Sequence, residues 1–192
     1  MRPIRESGMP EVDYWESLFD PVALLDALGF DESLRDVADV GCGYGTFALV
    51  LARRAAGTVY AIDGDPAMLR LTGERAERHR LGNVVPVESD LLADGSSLPA
   101  ASVDGVLIAH LLHGEVEENV ALLADARRIL RLRGQLGIIH WRRNVETPRG
   151  PPLAIRPTLD QIEAWVEAAG FPTAGIDRRI LGEYHWGLVG QR

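Results

Sequence analysis

Residues 36–47 read Asp36-Val37-Ala38-Asp39-Val40-Gly41-Cys42-Gly43-Tyr44-Gly45-Thr46-Phe47, and residues 58–63 read Thr58-Val59-Tyr60-Ala61-Ile62-Asp63. The first run begins as a buried strand, Asp36 to Gly41, and turns through three glycines. It then enters Thr46 to Ala56, where the apolar spacing is helical and the arginines fall on an outer side. The second run is the next strand. Glycine lets a backbone turn sharply and come close to a ligand with no Cβ in the way. The helix behind the turn offers free N–H groups and the positive end of its dipole. A strand, a glycine turn and a helix in that order suit a nucleotide-like ligand.

The spacing narrows the choice. The dinucleotide fingerprint is G-x-G-x-x-G or a final alanine, but here the third glycine comes one residue early and Thr46 stands where Gly or Ala is wanted. Asp63 ends its strand 20 residues beyond Gly43. A carboxylate there is placed to accept hydrogen bonds from a ribose diol. A nicotinamide oxidoreductase is therefore disfavoured, and a nucleoside-bearing ligand of another kind is favoured.

Working outward, strands and helices alternate. Helices are expected over Pro66 to Leu81, Glu115 to Leu132 (with Gly134 as its stop) and Leu159 to Ala169. Strands are expected over Val84 to Glu88, Val103 to Ala109, Gln135 to Trp141, about 176–182 and about 185–190, the last two pairing antiparallel. Two short helices, within 13–19 and 21–30, precede the sheet. The pattern predicts an α/β, Rossmann-like sandwich: a mostly parallel seven-stranded sheet with an antiparallel C-terminal strand and helices on both faces. The whole chain reads as one domain. Residues 1–30 form an N-terminal helical lid, 36–141 a cofactor-binding core, and 142–192 a substrate loop followed by a helix and hairpin.

Composition excludes several classes. The chain has 192 residues, a net charge of -8 and no lysine, which disfavours duplex nucleic acid and removes every lysine-based chemistry. Cys42 is the single cysteine, so no internal disulfide can form. No run approaches a membrane span, and residues 1–10 lack a signal-peptide apolar stretch. These features lead to the expectation of a soluble cytoplasmic protein with no membrane and no nucleic-acid partner.

The strings VADVGCGYGTFAL and VYAIDGDPAML, followed by Val87-Glu88-Ser89-Asp90-Leu91, the run from Leu98 to Leu107 and the run from Arg128 to Leu136, resemble the ordered motifs of class I S-adenosylmethionine-dependent methyltransferases of the small-molecule type. The likeness covers about residues 35–141. Arg133, in place of the family's usual proline, and Val103, in place of an aromatic, depart from it. The resemblance implies S-adenosyl-L-methionine as cofactor. It places Gly41, Gly43 and Gly45 along the methionine part, Asp39 near its amino group and Cys42 among the cofactor-binding residues. Asp63 would hold the ribose hydroxyls, Gly64 and Met68 would lie beside the adenosine, and Asp90 would meet the adenine amino group with Leu91 packing nearby. His110 would sit close to the sulfonium. The bare residues leave other roles open: Asp90 as a cap, Met68 as core, Cys42 as a small loop residue, Asp104 as a strand start.

Methyl transfer is an in-line displacement that needs positioning and exclusion of water more than it needs a base. No catalytic residue is singled out. Tyr14, His113, His140, Trp141 and Arg142 are the candidates for touching a small-molecule acceptor. A histidine at a strand end could act as base near neutral pH, or simply pack. The loop 142–157 holds Arg142, Arg143, Arg149 and Arg156 and could receive an acidic group. His110 and His113 could mimic a metal pair, but no third ligand is evident and no metal is expected. The alternatives are a protein or RNA methyltransferase of the same fold, or a nonenzymatic cofactor-binding scaffold.

Overall fold

Short polar residues open several of the helices of this chain. In the computed structural model, which describes residues 10–172 and 174–192, Asp20 caps α2 (Pro21–Leu28) by accepting from the Val22 and Ala23 amides. Asp65 caps α4 (Pro66–Arg78) through the Ala67 amide. Each helix begins with a proline, where a missing N–H costs no hydrogen bond. Thr158 and Gln161 close a capping box on α6 (Leu159–Ala168). Caps of this kind contribute about 0.5–2 kcal/mol each.

The chain divides between Ser97 and Leu98 into two compact units. In the first, β1 (Val37–Val40), β2 (Val59–Asp63) and β3 (Val84–Glu88) run parallel, with Val37 opposite Val59 and Val59 opposite Val84. β1 is buried along its length, and α3 (Thr46–Arg54) is buried from Thr46 to Ala52. The Asn83 amide ties the end of α3 to the turn before β2 by donating to the carbonyls of Ala52, Ala55 and Gly57 at 3.0, 3.3 and 3.1 Å. α1 (Val12–Glu16) precedes α2.

In the second unit, β4 (Val103–Ala109) pairs parallel with β5 (Leu130–Trp141). β7 (His185–Gln191) lies antiparallel to β5 and to β6 (Asp177–Leu181). The seven strands follow the order β3-β2-β1-β4-β5-β7-β6. This is the expected Rossmann-like sheet, with β7 as the reversed C-terminal strand.

One boundary differs from the sequence expectation. α5 spans Val116–Ile129 and stops before Leu132. Leu130 is already extended and pairs with Val103, and the register then jumps to Gly105 opposite Gln135. Residues 131–134 form the bulge, with Arg133 at φ +65. Leu132, the expected end of the helix, is 82% exposed. Gly134 does not stop a helix. An added Cβ would lie 2.8 Å from the Arg131 carbonyl oxygen, so the bulge itself requires glycine there. Asp104 meets Arg131 at 2.8 Å and helps fix the turn. Among the described residues no helix is long and apolar enough to cross a membrane.

Candidate active site

The glycine turn is shaped by its own backbone. Gly41, Gly43 and Gly45 have φ of 76, 51 and 74°, the left-handed region that a side chain resists. The amides of Gly41 and Cys42 both donate to the Ile62 carbonyl, at 2.8 and 3.0 Å, which pins the turn to the end of β2. At Gly45 space is closed as well: a Cβ would lie 2.7 Å from Thr72 Cγ2.

Asp63 lies against this turn. Its Oδ2 accepts from the Gly43 amide at 2.9 Å and its Oδ1 from the Asp65 amide at 2.9 Å. These two bonds fix the carboxylate, and each oxygen keeps a lone pair for a further donor. Thr72 Oγ1 donates to the Gly43 carbonyl at 2.8 Å, and Arg75 donates to the Tyr44 carbonyl at 2.7 Å. Two residues one turn apart on α4 thus hold two successive loop carbonyls. Neither stood out in the sequence, because a threonine and an arginine on a half-buried helix carry no pattern of their own.

Asp39 is 1% exposed. The Ala48 backbone amide bonds to it, while its Oδ2 has no hydrogen-bond partner among the described residues. Burial pushes its carboxyl up to about 7; the Ala48 bond opposes the rise and the nearby Asp63 charge adds to it. A buried carboxylate oxygen left unsatisfied is expensive, and an ammonium group would satisfy it. The loop with Asp39 and Asp63 therefore fits a ligand that carries an amine and a vicinal diol, as an amino-acid nucleoside does. Cys42 is buried, its Sγ 3.8 Å from the Gly43 carbonyl, and burial holds its thiol well above the usual range. It is a small loop residue and not a thiolate.

The remaining cofactor candidates of this unit sit on neighbouring segments. Gly64 follows Asp63, and a Cβ there would come within 3.3 Å of the Ser89 carbonyl oxygen. Met68 on α4 and Leu91 are half-buried. Asp90 is exposed, and its Oδ1 accepts from the Leu92 and Ala93 amides at 3.1 and 3.2 Å, so it also caps the turn that follows β3. Tyr14 on α1 is exposed, whereas Trp15 is buried and meets Phe19 edge-on at 5.1 Å. Residues 1–9 of the expected N-terminal lid lie outside the described residues.

In the second unit the C-terminal ends of β4 and β5, with the start of β7, gather aromatic rings. His110 follows β4 at φ +58. Its ring centroid is 4.9 Å from that of Trp141 and 4.9 Å from that of His185. Trp141 and His185 are 4.2 Å apart. His140 stacks on Trp186 at 5.7 Å, and His113 lies 6.4 Å from His140. His185 and Trp186 escaped the sequence reading because antiparallel pairing, and not proximity in sequence, brings them beside Trp141 and His140.

Burial pushes His140 down to about 3 and His185 down to about 4, and lowers His110 well below the usual imidazole range. The positive charge of Arg156 lowers His140 and His185 further, a smaller effect. These imidazoles are neutral near pH 7 and poor proton acceptors. Among the described residues no group of three or more His, Cys, Asp or Glu side chains is arranged to hold a metal ion.

One arginine of the loop 142–157, Arg156, turns inward, while Arg143 and Arg149 are exposed. Arg156 is 3% exposed and donates to Pro151 O, Arg142 O, Val145 O and Thr147 Oγ1 at 2.8, 2.9, 3.1 and 2.6 Å. Its guanidinium lies 5.8 Å from the Trp141 ring centre. Arg143 donates to the Arg156 carbonyl at 2.8 Å, and Arg142 to the Glu183 carbonyl at 3.1 Å. Arg142, Arg143 and Arg156 thus bond the protein's own backbone.

The comparisons with known proteins agree with this chemistry. A family described as a methyltransferase domain matches residues 37–134. The uncharacterized protein YbxB of Bacillus subtilis (strain 168) is 28% identical over 146 residues, covering 76% of this chain and 67% of that one. The ribosomal protein L11 methyltransferase of Thermotoga neapolitana is 31% identical over 112 residues, covering 57% of this chain and only 39% of that protein. A crystal structure of a SAM-dependent methyltransferase from Aquifex aeolicus matches with a TM-score of 0.78 at 27% identity, over 92% of this chain and 91% of that one. The matched residues 37–134, just over half of the chain, begin with β1 and include the glycine loop and Asp63. The chain belongs to the methyltransferase-domain family and is a class I S-adenosylmethionine-dependent methyltransferase.

Proposed function

We propose that this methyltransferase acts on a small-molecule acceptor, with Asp39, Gly41, Cys42, Gly43, Gly45, Asp63, Gly64, Met68, Asp90, Leu91 and His110 around the cofactor. Tyr14, His113, His140, Trp141 and Arg142 are assigned to the acceptor side. The observation that carries the acceptor reading is the ring cluster of the second unit. Its accessible edge is the half-buried His110 and the exposed His113, set against the buried rings of His140, Trp141, His185 and Trp186, and burial leaves His110, His140 and His185 too weakly basic to deprotonate an ammonium at neutral pH. Such surroundings suit an aromatic or otherwise apolar acceptor whose lone pair is available without a strong base. The net charge of -8 and the lack of lysine argue in the same direction, against a polyanionic substrate.

When bound, S-adenosylmethionine supplies a methyl group on a sulfonium with a neutral thioether as leaving group. The chain's own contribution is then placement. Asp39 neutralises an amino group, Asp63 orients the diol, and the glycine turn admits close approach. The ring cluster excludes water and holds the acceptor in line, the main source of acceleration in such a displacement. In the same proposal residues 1–30 act as a lid, 36–141 as the cofactor-binding core and 142–192 as the acceptor side, in a cytoplasmic protein. The likeness to ribosomal protein L11 methyltransferases supports a second reading, a protein acceptor.

Calorimetric titration of S-adenosylmethionine into the wild type and into Asp63→Ala tests the cofactor site. One-site binding weakened about 100-fold or more in the variant is expected, since two charge-assisted hydrogen bonds disappear. Equal affinity would remove Asp63 from the site. Release of S-adenosylhomocysteine with phenolic and heteroaromatic acceptors, but not with ribosomal protein, supports the small-molecule reading; the reverse pattern overturns it.

A further inference from the structure

Segment 10–19 touches the glycine loop through every non-glycine residue from Tyr44 to Phe47. The Tyr44 hydroxyl donates to the Pro10 carbonyl. Phe19 stacks on Phe47 with centroids 5.6 Å apart and planes 7° apart. Between these two contacts lies Glu16, the last residue of α1. Its Oε1 accepts from Thr46 Oγ1 at 3.0 Å and from the Arg75 guanidinium at 2.6 Å. The same guanidinium donates through its other nitrogen to the Tyr44 carbonyl. The Arg75 and Glu16 side chains are 13% and 31% exposed, so the ion pair is partly withdrawn from water and stronger than a surface pair.

The chain of bonds runs in one direction. Glu16 orients Arg75, and Arg75 fixes the Tyr44 carbonyl. The peptide planes on either side of Tyr44 then determine where the Gly43 and Gly45 backbone points. Thr46 is the first residue of α3, whose N-cap is Gly45 and has no side-chain cap. Glu16 thus puts a carboxylate beside an uncapped helix start, where the dipole favours negative charge. Without Glu16, Arg75 keeps one loop contact but loses its anchor, and Thr46 loses its partner.

We infer that Glu16 is a positioning residue of the cofactor loop, acting through Arg75 and Thr46, so that docking of segment 10–19 and binding of the cofactor reinforce each other. This rests on the glycine loop being the seat of the cofactor. Coupling of this kind is reciprocal. Whatever affinity segment 10–19 lends the cofactor, the bound cofactor returns as added protection of that segment.

The test uses the full chain and S-adenosylmethionine itself. By calorimetry, Glu16→Ala raises Kd about tenfold, within the usual range of coupling between linked sites. Glu16→Gln keeps an oxygen for both donors and recovers most of the loss. Glu11→Gln removes a charge from the same segment without touching the loop and leaves Kd in place. Hydrogen exchange on the wild type shows the amides of Trp15, Ser17 and Leu18 slowing when cofactor is added. A folded Glu16→Ala that binds as tightly as wild type overturns the inference. Should that variant fail to fold, α1 amides that exchange at one rate with and without cofactor overturn it equally. Undiminished binding by Asp63→Ala would instead overturn the loop as the cofactor's seat, a separate failure.

Discussion

The glycine loop and the ring cluster are both strand-end structures, assembled in different ways. The loop takes consecutive residues, 41–45, and its shape lies in backbone angles that only glycine adopts easily. The cluster draws His110, His140–Trp141 and His185–Trp186 from three strand ends, and its shape lies in ring packing. The titratable groups differ in sign as well. Asp39 in the first unit is an acid whose burial raises its pKa; His140 and His185 in the second are bases whose burial lowers theirs. A site defined by backbone leaves its mark in adjacent letters, and a site defined by packing does not.

The hardest blow to this contrast is a single methyl group. In Gly45→Ala the new Cβ meets Thr72 Cγ2 at 2.7 Å and Oγ1 at 2.9 Å, at φ +74. Left-handed strain costs about 1–3 kcal/mol, and overpacking a buried position adds about 1–3 kcal/mol. Urea unfolding should show a loss in that combined range, with cofactor binding abolished. A loss under about 0.5 kcal/mol, the scale of an ordinary surface substitution, would mean that the loop is not backbone-determined. Gly175→Ala makes a useful control: its φ is +112, but no atom lies within 4 Å of the new Cβ.

The opposite signs of the buried groups predict opposite pH limbs. Asp39 titrates near 3.8 when unfolded and about 7 when folded. Between those values the folded state holds the extra proton, so this contribution to stability is full below about 4 and lost as pH rises toward 7. His140 and His185 go from 6.5 unfolded to about 3 and about 4 folded. There the unfolded state holds the extra proton, so stability is full above 6.5 and lost as pH falls toward 4 and then 3. Asp39→Asn should raise stability at pH 8 relative to pH 5, and His140→Phe should flatten the loss between pH 6.5 and 4. Urea midpoints across pH 4–8 check both, with effects on the order of a few kcal/mol, since each tenfold change in a protonation equilibrium is worth about 1.4 kcal/mol. Because an ammonium ligand needs ionised Asp39, cofactor affinity in the wild type should also rise with pH toward 7 and level off above it. An affinity flat from pH 5 to 8 would separate Asp39 from the ligand's amine.

The same contrast explains what the sequence discloses. Fold class, sheet content and the loop–Asp63 pair are legible because they rest on periodicity, glycine and a fixed spacing of 20 residues. The end of α5 is misread because its apolar spacing runs on to Leu130, which is already extended and paired with Val103, and periodicity counts residues without knowing which element they join. Glu16, Thr72 and Arg75 stay hidden because they reach the loop from 29 or more positions away, through single polar contacts. The inward turn of Arg156 is hidden too. Nothing in the letters of 142–157 distinguishes a guanidinium bonded to carbonyls from one open to an anion.

Asp90 gives the smallest expected effect and the finest test of the difference. It is exposed, and its Oδ1 already serves the Leu92 and Ala93 amides. Its structural duty therefore needs only an oxygen at that position, which asparagine also supplies. Its proposed duty toward the adenine amino group favours a charged acceptor, and asparagine offers a weaker one. Asp90→Ala removes both roles and should lose about 1 kcal/mol of stability, as losing a helix-type cap does, along with some cofactor affinity. Asp90→Asn should keep the stability and still bind S-adenosylmethionine a few-fold more weakly, in line with the gap between charged and neutral acceptors. Unfolding curves and calorimetry on the two variants separate these roles. If Asp90→Asn matches wild type in both, the residue is a cap alone, and the adenine end of the site owes its specificity to the packing of Leu91 and Met68.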